Sequence, residues 1–131
     1  MRHLPLLLGV LLLTAAVAPP VSLPGAYRPP ENYVLWSNGP GYRATLLPEQ
    51  FAREAVAMVE CESSGDVDAI GDQGRAFGRL QIRLDVHRVN MVELGLDPMQ
   101  EADRILFAAR LWREQGWEPW HNCAAMLGLL K

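Results

Sequence analysis

Glu62 closes a stripe that is otherwise apolar. Phe51, Ala55, Met58, Val59 and Glu62 fall at i, i+4, i+7, i+8 and i+11, one face of an α-helix. A carboxyl group at the end of a buried stripe is partly desolvated, which raises its pKa and holds the proton near neutral pH. The negative end of the helix dipole acts in the same direction. A carboxyl tuned in this way suits one task well, protonation of the leaving oxygen of a glycosidic bond. On pattern alone, a solvated or salt-bridged glutamate at a helix end fits the same residues. Cys61 stands directly before Glu62, and the second of the two cysteines is Cys123. An even count in a small exported chain predicts a disulfide. It closes a loop of about sixty residues and contributes roughly 4 kcal/mol by loop entropy. A metal site built from Cys61, His87, His121 and Cys123 is the competing reading, but these spacings match no zinc pattern. No metal and no cofactor is therefore expected. Trp112, Trp117 and Trp120 can stack on pyranose rings or fill the core, and Trp117 and Trp120 are carried as candidate sugar contacts. His87 reads as a surface or loop histidine rather than a base. Asp66, Asp68 and Asp72 read as turn residues.

The elements around these residues follow from punctuation and period. Thr45 precedes Leu46-Leu47-Pro48-Glu49, and a proline followed by an acid marks a helix start. That helix carries the stripe, with Arg53, Glu54 and Glu60 on its solvated side. Residues 63–78 form a loop with glycines at 65, 71 and 74 and a further glycine at 78. Residues 77–82 form a short strand, and 85–94 a short helix ended by Gly95. Asp97-Pro98-Met99-Gln100 predicts a helix start, with Asp97 as cap and Gln100 closing a capping box. Ala102, Ile105, Leu106, Ala109 and Trp112 form the buried face of that helix, and Gly116 stops it. Residues 117–123 make an aromatic turn, and 124–130 a short apolar helix. The expected fold class is α+β, mainly α, with a short irregular β element.

The chain has 131 residues, enough for one domain. Residues 1–18 have the layout of a secretory signal peptide, a short basic start at Arg2 and His3 and then an uncharged apolar run at 4–17. An uncleaved anchor is the alternative, though the run is short for a span. No cysteine near its end offers a lipid attachment point. Residues 19–44 are rich in proline and glycine and read as a linker or arm, and 45–131 as the domain. Loss of residues 1–18 removes Arg2 and no acid, taking the formal charge from -3 to -4. A mildly acidic chain without a polybasic patch is a poor partner for nucleic acid or for a membrane surface.

Glu62-Ser63-Ser64-Gly65, then Ala69-Ile70, Gly74 and Gly78-Arg79-Leu80-Gln81-Ile82, resemble the signature of SLT-type lytic transglycosylases and goose-type lysozymes. Cys61 before the glutamate, and Gly116-Trp117-Glu118-Pro119-Trp120 followed by Cys123, are closest in pattern to the resuscitation-promoting factors. The resemblance covers roughly residues 47–125. It implies a small lysozyme-like domain, secreted and monomeric, that acts on peptidoglycan glycan strands at the β-1,4 bond between N-acetylmuramic acid and N-acetylglucosamine. Glu62 is then the catalytic acid and Gln81 holds a sugar in the cleft. Ser63 contacts substrate or supports the glutamate, and Gly78 lets a sugar approach the backbone. No second carboxylate stands at a motif position, which favours a single-acid lytic transglycosylase or lysozyme over a two-carboxylate hydrolase. A non-catalytic glycan- or protein-binding module is the alternative.

Overall fold

A computed structural model describes residues 32–36 and 45–130. The leader at 1–18 and the arm at 19–44, apart from residues 32–36, lie outside the described residues. Strand β1 (Tyr33–Trp36) pairs antiparallel with β2 (Thr45–Pro48), and Trp36 faces Thr45 across the ladder. Helix α1 (Glu49–Ser63) follows at once. Three two-residue strands, β3 (Ile70–Gly71), β4 (Ala76–Phe77) and β5 (Ile82–Arg83), form an antiparallel sheet in sequence order. Helices α2 (Leu84–Glu93), α3 (Glu101–Gln115) and α4 (His121–Met126) complete the described residues, with a 3₁₀ turn at Glu118–Trp120 before α4. The fold is α+β and mainly α. No helix among the described residues is long and apolar enough to cross a membrane.

Helix α1 buries Phe51, Ala55, Met58 and Val59, the stripe expected from its period, and also Ala52. It starts at Glu49 after Pro48. Residues 45–48, expected to lead straight into the helix, form a strand, because their backbone pairs with β1 instead of coiling. The helix ends where Ser64 turns left-handed (φ 54°), and the amide N–H groups of Ser64 and Gly65 return to the carbonyls of Glu60 and Val59.

Three expectations shift. Residues 77–82 are not one strand: β4 and β5 are joined by a turn over 78–81, with Gly78 and Gln81 both at positive φ. Two strands of two residues carry too little alternation to reveal the reversal. Asp97 does not cap α3. Its Oδ1 accepts the amide of Met99 at 2.9 Å, while Asp103 Oδ2 accepts the amide of Asp97 at 2.8 Å, so 97–100 is a turn and the helix starts at Glu101. The last helix spans His121–Met126 rather than 124–130, and the chain turns at Gly128 (φ 68°).

Helix α3 is buried more widely than its expected face. Phe107, Ala108 and Leu111 join Ala102, Ile105 and Ala109 in the core, and Glu101 and Arg104 are buried at its first turn. The core joins Phe51 and Met58 of α1, Leu80 and Ile82 of the small sheet and Phe107 of α3. Cys61 and Cys123 form a disulfide (S–S 2.07 Å, Cα–Cα 5.9 Å), tying the last turn of α1 to α4.

Candidate active site

Glu62 lies in the last turn of α1, half-buried, one residue from the disulfide. Burial pushes its carboxyl above the ordinary glutamate value. Its carboxyl has no hydrogen bond or salt bridge among the described residues, so nothing offsets that desolvation. Ser63 does not extend into free space. Its Oγ donates to the carbonyl of Val59 at 3.0 Å, one turn back along the helix, and so supports the helix end that carries Glu62.

The chain leaves Glu62 through residues 64–70 and enters the small sheet. Asp66 Oδ1 accepts the amide of Asp68 at 2.9 Å, and the amide of Ala69 returns to Asp66, so this stretch is a closed turn. Gln81 locks it to the hairpin. Its Nε2 donates to the carbonyl of Ala69 at 3.2 Å and to that of Gly78 at 2.8 Å. Its Oε1 rests against the α-carbon of Gly71, leaving no room there for a Cβ. The expected strand position, with Gln81 turned outward, gives way to a left-handed residue (φ 50°) whose amide nitrogen is committed to backbone.

Gly78 answers to a different neighbour than expected. It is buried at φ 80°, and a Cβ placed there would overlap Glu101 Oε2 and lie 2.9 Å from Glu101 Cδ. The space over this glycine is filled by a carboxylate of α3, not open to a sugar. Glu101 Oε1 accepts the amide of Arg79 at 3.0 Å, and its Oε2 accepts Arg104 Nε at 2.9 Å and pairs with the second guanidinium nitrogen at 2.8 Å. Arg104 also donates to the carbonyl of Pro98 at 2.9 Å. Burial pushes the Glu101 carboxyl up, opposed by the Arg79 amide and the Arg104 guanidinium. Sequence reasoning passes over Glu101 and Arg104. An acid and a base three apart in a first turn ordinarily mark a solvated face, and only the tertiary contact with the 78–81 turn distinguishes them.

The two indoles carried as sugar contacts lie in the core. Trp117 and Trp120 are 3% and 5% exposed. Trp117 stacks on Phe51 at 5.3 Å and donates to Glu54 Oε1 at 3.3 Å, and Trp120 donates to the carbonyl of Leu80 at 2.7 Å. Neither ring face is open, because both are used to join α1, the hairpin and the 3₁₀ turn. Trp112 is half-buried. His87 packs on Phe107 at 5.1 Å, and burial pushes its pKa down. Asp72 and Asp85 sit in an exposed network with Arg75 and Arg83. The disulfide takes up both sulfurs, which removes the metal site drawn from Cys61, His87, His121 and Cys123.

The structure thus sets Glu62, Ser63 and Cys61 on one helix end, with Gly78 and Gln81 bracing the hairpin that follows it. A groove of about 980 Å³ lies elsewhere, between the N-terminal half of α1 and the C-terminal end of α3, and neither Glu62 nor Gln81 lines it. No family model, curated protein or solved structure matches this chain.

Proposed function

We propose that this chain is an exported peptidoglycan-cleaving glycosidase that acts at the β-1,4 bond between N-acetylmuramic acid and N-acetylglucosamine through Glu62 alone. One observation carries the reading: Glu62 is a half-buried carboxyl with its pKa raised by desolvation and no partner among the described residues. Desolvation favours the protonated form of such a group, and with no partner it is free to give the proton away. Glu62 protonates the glycosidic oxygen as the bond to C1 opens. Its carboxylate then takes a proton from the attacking hydroxyl, either the C6 hydroxyl of the same sugar, which leaves an anhydro end, or water, which leaves a reducing end. The single-acid form is supported by four of the other carboxylates around the loop. Glu101 is buried in its pair with Arg104, Asp66 closes a turn, and Asp72 and Asp85 are held by arginines. Export is supported by the leader-like residues 1–18 and by the disulfide, a bond that persists in oxidising compartments.

A non-catalytic glycan- or protein-binding module is the second reading. The Gln81 amide and the Trp117 and Trp120 rings, the expected sugar contacts, are all committed to the fold, which weakens the case for a sugar cleft beside Glu62 and favours a protein partner. Mass spectrometry of purified peptidoglycan after incubation separates the readings. Anhydro-muramyl ends support transglycosylation, and new reducing ends support hydrolysis. Intact strands with both the wild-type chain and Glu62→Gln overturn the enzyme reading.

A further inference from the structure

Of the three C-terminal tryptophans, only Trp112 retains exposure, and it lines the groove between α1 and α3. The groove has an apolar floor made by Trp112, Leu129 and Leu130, all half-buried. Its rim carries Gln50, Arg53 and Glu54 from α1 and Gln115 from the end of α3. Glu54 is held in place before any ligand arrives. Its Oε1 accepts the Trp117 indole N–H at 3.3 Å and the Gln50 amide at 3.3 Å. Its Oε2 has no partner among the described residues, which leaves one acceptor on a carboxylate whose other oxygen is already held.

We propose that this groove holds a β-1,4-linked N-acetylated glycan chain, at a site separate from Glu62. Four features select that ligand. The volume, about 980 Å³, stands at the upper end of the roughly 300–1,000 Å³ usual for ligand sites and suits an oligomer rather than a single sugar. The lining sets the carboxylates Glu49, Glu54 and Glu118 against the guanidinium groups Arg53 and Arg113, so it offers only a weak field for a strongly charged polymer. Side-chain amides both donate and accept, which matches hydroxyl and N-acetyl groups that do the same. An amphipathic helix would require a broad exposed apolar floor, whereas Trp117 and Pro48 in the lining are buried and only Trp112, Leu129 and Leu130 keep some exposure. The indole can take the C–H face of a pyranose while Glu54 Oε2 accepts a ring hydroxyl.

Glu54 and Glu62 lie eight residues apart on α1, about 12 Å of rise and about 80° of turn. The groove is therefore displaced from Glu62 both along and around α1, and Glu62 is not in its lining. The proposal rests on the reading of this chain as a glycan-handling protein, but not on cleavage.

The test uses the full exported chain carrying Glu62→Gln, so that the probe stays intact. It is titrated with a soluble β-1,4-linked N-acetylglucosamine tetramer by calorimetry and by ¹H–¹⁵N spectra. The Trp112 indole resonance and the backbone of Gly116 and Leu129 are expected to shift, with the Trp120 indole unmoved. Adding Trp112→Ala is expected to weaken binding about tenfold. Trp112 also packs on Phe51 at 5.6 Å, so Glu54→Gln serves as the second variant. It keeps an acceptor for the Trp117 indole but turns the free acceptor into a donor, and a weakening of about threefold or more is expected. No binding, shifts confined to the Glu62 end of α1, or unchanged affinity in Glu54→Gln would overturn the site. Wild-type cleavage of peptidoglycan, measured separately, isolates failure of the enzyme reading from failure of this one.

Discussion

Replacing Gly78 with alanine is predicted to destabilise the domain strongly, and the size follows from two local costs. The first is conformational: at φ 80° an L-residue with a Cβ is strained by roughly 1–2 kcal/mol. The second is the clash with Glu101, whose Oε2 would overlap the new methyl and whose Cδ would lie 2.9 Å away. That carboxylate cannot swing aside freely. It accepts the Arg79 amide at 3.0 Å and is paired with the buried Arg104 guanidinium at 2.8 Å. Displacing it enough to lose one hydrogen bond to a charged group costs roughly 1.5–3 kcal/mol. Together the two come to roughly 3–5 kcal/mol, a large part of the 5–15 kcal/mol typical of a domain. Urea denaturation measures the change, with the m-value as a check on two-state behaviour. In a thermal scan the same loss lowers Tm by roughly 12 °C or more at about 4 °C per kcal/mol. A double-mutant cycle with Glu101→Ala should show strong non-additivity, because without that carboxylate the methyl has space. If Gly78→Ala costs under about 1 kcal/mol and instead weakens substrate affinity, the glycine serves an approaching sugar, and Glu101 is not what keeps it small.

Glu62→Gln should lower peptidoglycan cleavage by roughly 10²–10⁴-fold, the usual weight of a general acid. Because burial raises the Glu62 pKa, the folded state disfavours its ionised form. The variant should therefore gain stability over wild type as pH rises above the unfolded carboxyl range, and match it well below, where both states are protonated. Wild-type activity should fall as pH rises through that elevated pKa, and a rate that climbs steadily to high pH would contradict the acid role. Non-reducing peptide mapping should recover the Cys61–Cys123 pair, and its reduction should cost about 4 kcal/mol for a sequence separation of 62. Two free thiols in the oxidised protein would refute that. Gln81→Ala should lower stability by roughly 1–3 kcal/mol and cleavage together, since two side-chain hydrogen bonds are lost, although each carbonyl keeps a backbone donor. An unchanged Tm would return Gln81 to the role of a sugar contact.

The parts of this fold that can be read from the sequence are those governed by local period. The α1 stripe, the α2 helix with its glycine stop and the disulfide between the only two cysteines depend on spacing or composition alone. What escapes depends on partners distant in the chain. The β1–β2 ribbon is two four-residue strands, and the second reads as a helix start because Pro48 and Glu49 are a genuine helix signal. Asp97 is a good cap by type, but its carboxylate closes a turn onto Met99, and Asp103 takes the amide it leaves. For Trp117 and Trp120 the residue type fits stacking and burial equally, and only the neighbouring Phe51 ring and the Leu80 carbonyl decide.

The candidate site shows the same division between type and partner. The resemblance to lytic transglycosylases and goose-type lysozymes implies that glutamate, glycine and glutamine meet around a sugar. In the fold, glycine and glutamine meet each other and the protein instead. Gly71 is small because Gln81 Oε1 rests on it, and Gly78 is small because Glu101 does. The Gln81 amide nitrogen joins the carbonyls of Ala69 and Gly78, which bracket β3 and β4. The segment that leaves Glu62 is thereby fixed at residue 69, only seven residues downstream, while the disulfide fixes the helix on the residue before it. A carboxyl with no hydrogen-bond partner of its own keeps one place only if the chain on both sides is held. The ordered motif therefore specifies a frame around one acid, and under the proposed function sugar contacts fall to residues outside it. Trp112, at the edge of the α3 face, and Glu54, on the solvated side of α1, lie outside that motif and line the groove instead.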